Sequence, residues 1–288
     1  MHAEFCFVTL HPMKIAALLF FCASLAPAQS VYVLKAAHLF DGVSGQLVSP
    51  GLVVVSNGSI QSVGGVAPAG ATMIDLGDAT LLPGFIDAHT HLTDDFNPDY
   101  NGAALLSLQR PLAERAIRST ANARKTVMAG FTTVRDVGSS DFVDVGLRNA
   151  INAGIVPGPR MLVAVHALGS TGGHCDDQAS FRYGLFGHES GPEQGVINSP
   201  DEARFAVRFN IKYGADVIKT CASGGVLSPT DDVDVPQLSQ AELNALVMKR
   251  TLCDVKPQRM PMERKQRDGR SWRESIPSST ARSSTTKT

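Results

Sequence analysis

An apolar stretch that ends in two histidines constrains the fold of this chain more than any other feature. Residues 81–92 read Leu-Leu-Pro-Gly-Phe-Ile-Asp-Ala-His-Thr-His-Leu, a pattern that predicts a buried strand. Because side chains alternate along a strand, His89 and His91 are expected to point to the same face. Two neutral imidazoles side by side are suitable ligands for a divalent metal. The pair therefore indicates a metal site, with two ordinary polar residues at a strand end as the alternative.

A lysine ends a second apolar strand pattern farther along the chain. The sequence Asp-Val-Ile-Lys-Thr at residues 216–220 places Lys219 at the end of this predicted strand. A buried charge is costly unless it is paired or used. Burial and neighbouring cations lower the pKa of a lysine and free its amine for chemistry. Lys219 is therefore a candidate site residue, and an ion-paired structural lysine is the alternative.

These motifs resemble the amidohydrolase superfamily, and within it the imidazolonepropionase-like and Xaa-Pro dipeptidase (prolidase)-like branch. The resemblance runs from about Val31 to about Met248, and Pro-Gly-Phe-Ile-Asp-Ala-His-Thr-His is its most specific part. It implies that His89 and His91 follow the first strand of a (β/α)8 barrel and bind the more buried of one or two divalent ions, with zinc the expected metal. It also implies that Lys219 is carboxylated by CO2 and bridges two metals.

The Gly172-Gly173-His174 loop follows the third predicted strand. Barrel enzymes carry their functional loops at the carboxyl ends of the strands. The resemblance implies that His174 binds the substrate, through the oxygen of the scissile group or the substrate carboxylate, and a flexible surface loop is the alternative. His166 is a weaker candidate for the same face. Arg135-Asp136 is interpreted as a structural pair.

The order of strand and helix patterns predicts an α/β chain that forms the N-terminal half of a (β/α)8 hydrolase barrel. Residues 29–82 read as short strands separated by turns, which the resemblance assigns to a small β-sandwich, and residues 83–248 read as the partial barrel. The predicted strands are 32–36, 52–56, 59–63, 72–76, 85–89, 131–137, 160–165 and 216–220. The predicted helices are 103–129 with a break at Pro111, 143–153, one from Ser199 or Asp201 to 213, and one opening at Ser239 with Glu242 as a capping box.

The N-terminal residues 1–28 resemble a leader and an export signal. Met13-Lys14 precedes the apolar run Ile15–Leu25, which is too short to span a bilayer. The small residues of Ala26-Pro27-Ala28 fit cleavage before Gln29. We therefore expect a periplasmic or secreted protein with no membrane attachment after cleavage. Cys175 and Cys221 are the cysteines outside the leader and the tail, and they predict no disulfide framework.

The C-terminal residues 249–288 differ in composition from the rest of the chain. They hold 11 of the 26 Lys and Arg residues but 4 of the 27 Asp and Glu residues, which leaves residues 1–248 with a net charge of −8. As a native segment this tail is expected to be disordered, and the alternative is that it is translated out of frame. Reading its codons one base out of frame, with third positions chosen freely, yields His-Ala-His-Gly and Ile-Glu-His-Gly motifs in order. They match the fifth- and sixth-strand motifs of the superfamily, so we expect a frameshift near codon 249.

The resemblance implies a metal-dependent hydrolase of a C–N bond, acting on a dipeptide or a cyclic amide. Two further metal histidines and the general-base aspartate expected for this superfamily have no counterpart in residues 1–288. We therefore expect the 288-residue chain to be inactive, with a small-molecule or dipeptide substrate for the intact protein and no nucleic-acid partner. The alternatives are a non-catalytic fragment or pseudogene product with a basic tail, and a deacetylase- or dihydroorotase-like amidohydrolase.

Overall fold

The computed structural model describes residues 31–226, 228 and 230–252. The chain divides into two compact units, and the boundary lies between Ile86 and Asp87. The predicted export signal and most of the predicted out-of-frame tail lie outside the described residues. Among the residues that are described, no helix is both long enough and apolar enough to cross a membrane.

The first unit is built from short strands in two small sheets. A four-stranded sheet has the order β5-β4-β1-β6, and a three-stranded sheet has the order β3-β2-β7. The predicted short strands are confirmed, whereas β2, β3 and β7 were missed because two or three residues are too few to show an alternating pattern. The strands are β1 (Val31–Ala36), β2 (His38–Phe40), β3 (Leu47–Val48), β4 (Gly51–Ser56), β5 (Ser59–Val63), β6 (Thr72–Asp75) and β7 (Thr80–Leu81).

A two-residue turn joins β4 to β5. Asn57 and Gly58 both have positive φ angles, 52° and 67°, as a tight hairpin turn of the primed type requires. Strand β4 pairs antiparallel with β5 on one side and with β1 on the other, where Val33 faces Val54. The Asn-Gly hairpin predicted from the sequence is therefore confirmed, although the β-sandwich as a whole stays a prediction.

The second unit alternates strands and helices. Its sheet has the order β10-β9-β8, and β9 and β10 run parallel with Val134 opposite Met161. The predicted break at Pro111 is confirmed, because that residue separates two helices. The elements are β8 (Phe85–Thr90), α1 (Tyr100–Gln109), α2 (Leu112–Met128), β9 (Phe131–Asp136), α3 (Val143–Asn152), β10 (Arg160–Val163), α4 (Pro200–Lys212) and α5 (Gln240–Leu252).

Two apolar clusters hold the second unit together. One joins the sheet to α2 and α3 and the other joins α4 to α5, and each fully buried Leu or Val contributes roughly 1.5–3 kcal/mol relative to the exposed side chain. The first cluster contains Leu92, Ala123, Val134, Leu147, Met161 and Val163. The second contains Leu168, Ile197, Ala203, Ala206, Val207, Leu238, Ala245 and Leu246.

The predicted fourth strand is wrong as a regular strand. Residues 216–220 run beside the end of β10 but form a single bridge, Leu168 with Thr220. The N–H groups of Asp216 and Val217 both point to the carbonyl of Val163. Val165 has a positive φ of 66°, which bends the chain between these contacts and interrupts the extended row that a ladder needs. The α/β order is confirmed, and the half-barrel is reduced to three paired strands and one bridged segment.

The prediction that the strand before the histidines is buried is also wrong. Phe85 is 49 % exposed and Ile86 is 69 % exposed. Strand β8 lies at the edge of its sheet and pairs with β9 alone. An uninterrupted apolar pattern is typical of a strand that is covered on both faces of its sheet and has a neighbouring strand on each side. In the described residues, β8 has a neighbouring strand on one side only.

Side-chain caps define the starts of the last two helices. Ser199 Oγ accepts the N–H of Glu202 at 3.2 Å at the start of α4, with Pro200 in the first turn. At α5, Glu242 Oε2 accepts the Ser239 N–H at 2.7 Å, and Ser239 Oγ accepts the Glu242 N–H at 3.3 Å. The predicted capping box is confirmed.

Replacing Ser199 by alanine tests how much this cap contributes. The S199A change removes the acceptor for the Glu202 N–H, so we expect the free energy of unfolding to fall by about 1 kcal/mol. Urea unfolding followed by circular dichroism measures it. The control is S107A, since the Ser107 hydroxyl bonds a carbonyl within the exposed part of α1 and its loss should change stability by less than about 0.5 kcal/mol. Equal losses of unfolding free energy in S199A and S107A would show that the cap contributes no more than an ordinary serine hydroxyl within a helix.

Candidate metal site and active-site loop

His89 and His91 lie together at the carboxyl end of β8. Their ring centroids are 5.5 Å apart in an edge-to-face arrangement, and both side chains are exposed. His91 Nδ1 is 3.1 Å from the Gly138 carbonyl oxygen. If Nδ1 carries the proton, it donates to that carbonyl and leaves Nε2 free as a metal ligand. The geometry therefore suits a pair of metal-binding imidazoles.

Lys219 and Arg135 belong to the electrostatic environment of these histidines. Partial burial lowers the pKa of His89, and the positive charges of Lys219, His91 and Arg135 lower it further. Burial also lowers the pKa of Lys219, with Arg135 adding to the effect. A lowered pKa keeps an imidazole neutral and makes the neutral amine of a lysine more accessible. The fold thus brings Lys219 within electrostatic reach of His89, as the predicted site requires.

The donor set fits a divalent metal in part. Imidazoles in the neutral form are zinc ligands, and the carbamate of a carboxylated Lys219 would add oxygen donors. Among residues 31–226, 228 and 230–252, no group of three His, Cys, Asp or Glu side chains is arranged to hold an ion. The described residues therefore offer part of a metal coordination sphere, and the metal roles of His89, His91 and Lys219 stay predictions.

Arg135 and Asp136 do not form the structural pair interpreted from the sequence. Arg135 Nε donates to the Ala88 carbonyl at 2.7 Å, whereas Asp136 Oδ2 accepts the Leu92 N–H at 2.6 Å. Neighbouring residues of a strand point to opposite faces, so the two side chains have different partners. Strand alternation was the signal that could have separated their roles. Both bind the backbone of the segment that carries His89 and His91.

Asp136 is a buried carboxyl with an incomplete set of partners. It is fully buried, and its Oδ1 atom has no hydrogen-bond partner among the described residues. Burial raises its pKa to about 7, with the charges of Asp144 and Asp94 adding to the effect and the Leu92 N–H opposing it. A protonated carboxyl avoids the cost of a buried charge. Asp136 therefore anchors the chain just after His91 and is near its ionisation point at neutral pH.

The end of β10 is held in a conformation that is unusual for a β-branched residue. Val165 has a φ of 66°, and such strain persists only where the surroundings fix it. Asp144 Oδ2 accepts the Val165 N–H at 2.8 Å. Asn210 Nδ2 donates to the carbonyls of Ala164 and His166 at 3.2 and 2.7 Å. His166 packs edge-to-face on the Phe142 ring, and its place on the substrate face stays a prediction.

His174 lies in an exposed loop after β10 that is fixed by two contacts. Its backbone N–H donates to Gln237 Oε1 at 3.0 Å. The next residue, Cys175, forms a disulfide with Cys221, with a Cα–Cα distance of 6.0 Å. The expectation that these cysteines form no disulfide was wrong, because two cysteines 46 residues apart give no spacing pattern that reveals their contact.

An open cleft lies beside the segment that follows His91. Its volume is about 240 Å³, and its walls include Thr93, Phe96 and Leu106 together with paired charges. Arg110 pairs with Asp95 at 2.9 Å. The charged side chains at this cleft are thus largely neutralised by one another, and His89, His91 and Lys219 do not line it.

Comparison with known proteins supports the interpretation of the histidine motif. Residues 80–255 match the model of the amidohydrolase family, a span that includes β8 with His89 and His91 and also Lys219. The chain belongs to the amidohydrolase family.

Individual amidohydrolases resemble parts of this chain. Ochratoxinase of Aspergillus niger is 31 % identical over 179 residues, which cover 58 % of this chain and 36 % of that protein. A Xaa-Pro dipeptidase solved with bound methionine is 36 % identical, with a TM-score of 0.69 over 77 % of this chain and 54 % of the other. A prolidase solved with N-methylphosphonate-L-proline is 32 % identical with a TM-score of 0.64. The amidohydrolase described here therefore spans about a third to a half of the length of these relatives.

The buried carboxyl of Asp136 predicts a pH-dependent stability. Its unfolded pKa is near 3.8 and its folded pKa is about 7, so between these values the folded amidohydrolase binds more protons than the unfolded chain. Stability is therefore expected to fall as pH rises from about 4 to about 7. The D136N variant keeps an acceptor for the Leu92 N–H without ionising, so its stability should fall less over this window.

Urea unfolding at several pH values measures this dependence. D234N is the control, because Asp234 lies on an exposed loop and its replacement should leave the wild-type pH dependence unchanged. An identical pH dependence in wild type and D136N would refute the assignment of this proton uptake to Asp136.

Proposed function

We propose that this chain carries the first part of the active site of a metal-dependent amidohydrolase, with zinc as the expected ion. The observation that carries the proposal is the position of His89 and His91 at the carboxyl end of β8, within electrostatic reach of Lys219, in a chain of this family. His89 and His91 would hold the more buried metal, and Lys219 would bridge to a second ion. His174 would contact the substrate from the adjoining loop.

Lys219 is suited to carboxylation because its amine is accessible in the neutral form. Its nitrogen attacks CO2 to form an N–C bond and releases one proton, which leaves a carbamate with one negative charge. Partial burial and the nearby Arg135 charge favour the neutral amine. The change converts a positive residue beside His89 into an anionic one, and the site thereby becomes attractive to a cation.

Arg135 and Asp136 position the two imidazoles in the proposed site. When bound, a divalent metal lowers the pKa of nearby water and polarises a scissile carbonyl. Arg135 holds the Ala88 carbonyl, one residue before His89, through its 2.7 Å hydrogen bond. Asp136 holds the Leu92 N–H, one residue after His91. These two contacts fix the backbone on either side of the imidazoles, which positions the pair for a metal.

The substrate class that we propose is a dipeptide or a cyclic amide. The similarity to a Xaa-Pro dipeptidase and to a prolidase supports a dipeptide with C-terminal proline. The similarity to an ochratoxinase makes an ochratoxin a further candidate substrate. The side chain of His174 is exposed, and in our proposal it would bind a carboxylate or an amide oxygen of either kind of molecule.

A deacylase is the second candidate function. N-acyl-D-aspartate deacylase of Alcaligenes xylosoxydans xylosoxydans is 42 % identical over 67 residues, which cover 23 % of this chain and 13 % of that protein. Hydrolysis of an N-acyl amino acid breaks the same kind of C–N bond and would use the same imidazole pair. An N-acyl amino acid therefore belongs in any substrate panel.

We further propose that the protein is exported and that the 288-residue chain is inactive by itself. The signal-like residues 1–28 and a disulfide between Cys175 and Cys221 both suit an oxidising compartment. Inactivity is expected because two histidines and the general base of the superfamily have no counterpart in residues 1–288. The alternative of a binding function for the basic tail rests largely on residues that lie outside the described chain.

Zinc binding tests the metal site directly. We expect the chain to bind Zn²⁺ more tightly in bicarbonate than in CO2-free buffer, because carboxylation changes the charge of Lys219. The variants H89N and H91N should lose most of this binding, and K219M should lose the bicarbonate effect. Isothermal titration calorimetry measures each affinity, with H188N as the control because His188 is exposed in a different loop. Wild-type affinity in both H89N and H91N would disprove the assignment.

Restoring the reading frame tests the activity. One base added or removed near codon 249 should produce a longer chain that hydrolyses Xaa-Pro dipeptides in a Zn²⁺-dependent way, while the 288-residue chain shows no turnover. Release of free proline measures both, and the N-acyl amino acid is assayed in parallel. Turnover by the 288-residue chain would contradict the proposed inactivity, and a folded, frame-restored chain that cleaves none of these amides would contradict the proposed reaction.

A further inference from the structure

Two connections tie the His174 loop to the segment that follows Lys219. The His174 N–H donates to Gln237 Oε1 at 3.0 Å. The adjacent Cys175 is bonded to Cys221, which lies two residues after Lys219. We call the disulfide and the Gln237 hydrogen bond, together with the contact at Gly225, the His174 clasp. His174, the predicted substrate-binding residue, and its neighbour Cys175 are thus both connected to the part of the chain that follows Lys219.

A close approach at Gly225 completes the His174 clasp. A Cβ atom placed on Gly225 would overlap the imidazole of His174, so the glycine backbone lies directly against the ring. A Cβ on Gly173 would come within 2.6 Å of the Gln237 amide oxygen. A side chain at either glycine would displace the His174 ring or the Gln237 amide from its position, so glycine allows the close approach.

The residues that hold His174 are themselves fixed. The Gln237 N–H donates to the Ala222 carbonyl at 2.9 Å, and Asp231 Oδ1 accepts the Gly225 N–H at 2.9 Å. Burial acts to raise the pKa of Asp231, but hydrogen bonds from Gly225, Gln237 and Ser228 outweigh it and lower that pKa. Gln237, which accepts the His174 N–H, is therefore itself held by hydrogen bonds to Ala222 and Asp231.

The lysine segment is joined to the start of the same loop. The Leu168 N–H donates to the Lys219 carbonyl at 2.9 Å, and the Cys221 N–H donates to the Leu168 carbonyl at 2.8 Å. The loop that begins at Leu168 therefore starts next to Lys219, and the disulfide of Cys175 with Cys221 brings it back to the same segment. His174 lies at the point where the loop is returned, which makes its location dependent on the clasp.

We propose that Gln237 and the Cys175–Cys221 disulfide are positioning elements for His174, and that reduction of the disulfide releases His174 from the Lys219 segment. This inference rests on the proposed function, because the position of His174 affects catalysis only if this histidine binds the substrate. Opening the bond with an external dithiol consumes two thiols of the reductant and yields the thiols of Cys175 and Cys221, while the reductant forms its own disulfide. His174 is thus held beside the Lys219 segment in an oxidising compartment and released in a reducing one.

Nuclear magnetic resonance of the histidine rings tests the clasp in the full 288-residue chain. Mass spectrometry of the peptides should first find Cys175 linked to Cys221. The His174 ring signal, assigned through an H174Q variant, should shift when dithiothreitol is added and in C175S, because the ring then leaves its contact with the Gly225 backbone. Q237M removes the acceptor while keeping the length of the side chain, and it should move the signal in the same direction.

Two controls separate positioning from general stability. Q240M changes a glutamine of α5 that bonds Asn244, and it should leave the His174 signal unchanged. The ring signal of His38, in β2 of the first unit, should stay constant in every variant. A purely structural role of the clasp would move many signals together with the unfolding midpoint, whereas the proposed role moves the His174 signal first.

The outcomes distinguish this proposal from the proposed function. An unchanged His174 signal in reduced wild type and in Q237M would overturn the positioning role, whatever the Zn²⁺ measurements give. If C175S fails to fold, reduction of the folded wild-type chain provides the same comparison. If the wild-type chain binds no Zn²⁺ but its His174 signal still shifts on reduction, the metal proposal is refuted and the positioning role of the clasp stands. Free thiols at Cys175 and Cys221 in protein prepared under oxidising conditions would overturn the inference at its first step.

Discussion

Buried hydrogen bonds between polar side chains and the backbone determine where the strand ends of the second unit lie. Asp136 accepts the N–H of Leu92 after β8, Asp144 accepts the N–H of Val165 after β10, and Asn210 donates to two carbonyls around Val165. Parallel pairing alone aligns strands but leaves the turns after them undefined. These three side chains join the strand ends to one another and to α4. The candidate site residues leave the sheet from positions fixed in this way.

The same contacts explain why costly features are retained. Asp136 is fully buried with an oxygen that has no hydrogen-bond partner in the described part of the chain, and Val165 has a positive φ; both features oppose folding. Neither would be expected in a sheet selected for stability alone. Both occur at the carboxyl end of the strands, the edge at which parallel α/β folds place their sites. Their location is consistent with a fold that trades stability for a defined arrangement of His91 and the loop beyond β10.

Sequence patterns predicted the elements better than their environment. The Asn57-Gly58 turn, the break at Pro111 and the Ser239 capping box were correct because each depends on a few adjacent residues. The burial of β8, the fourth strand and the disulfide were not, because each depends on residues far away in the sequence. Cys175 and Cys221 are 46 residues apart, and their meeting follows from the path of the chain around Leu168. The separate roles of Arg135 and Asp136 were readable from strand alternation and were overlooked.

The charge of Lys219 acts on His89, although the two residues lie far apart in the sequence. Burial lowers the pKa of His89, and the positive charges of Lys219 and Arg135 lower it further. The same two charges repel any cation that approaches His89. A metal site in this arrangement needs a change of sign at one of the two residues. Arginine stays protonated, whereas Lys219 has a lowered pKa and an amine able to react with CO2. Two imidazoles near two cations are therefore a weak metal site until the lysine is carboxylated. In our proposal carboxylation precedes or accompanies metal binding, and Arg135 then stabilises the carbamate that it first made easier to form.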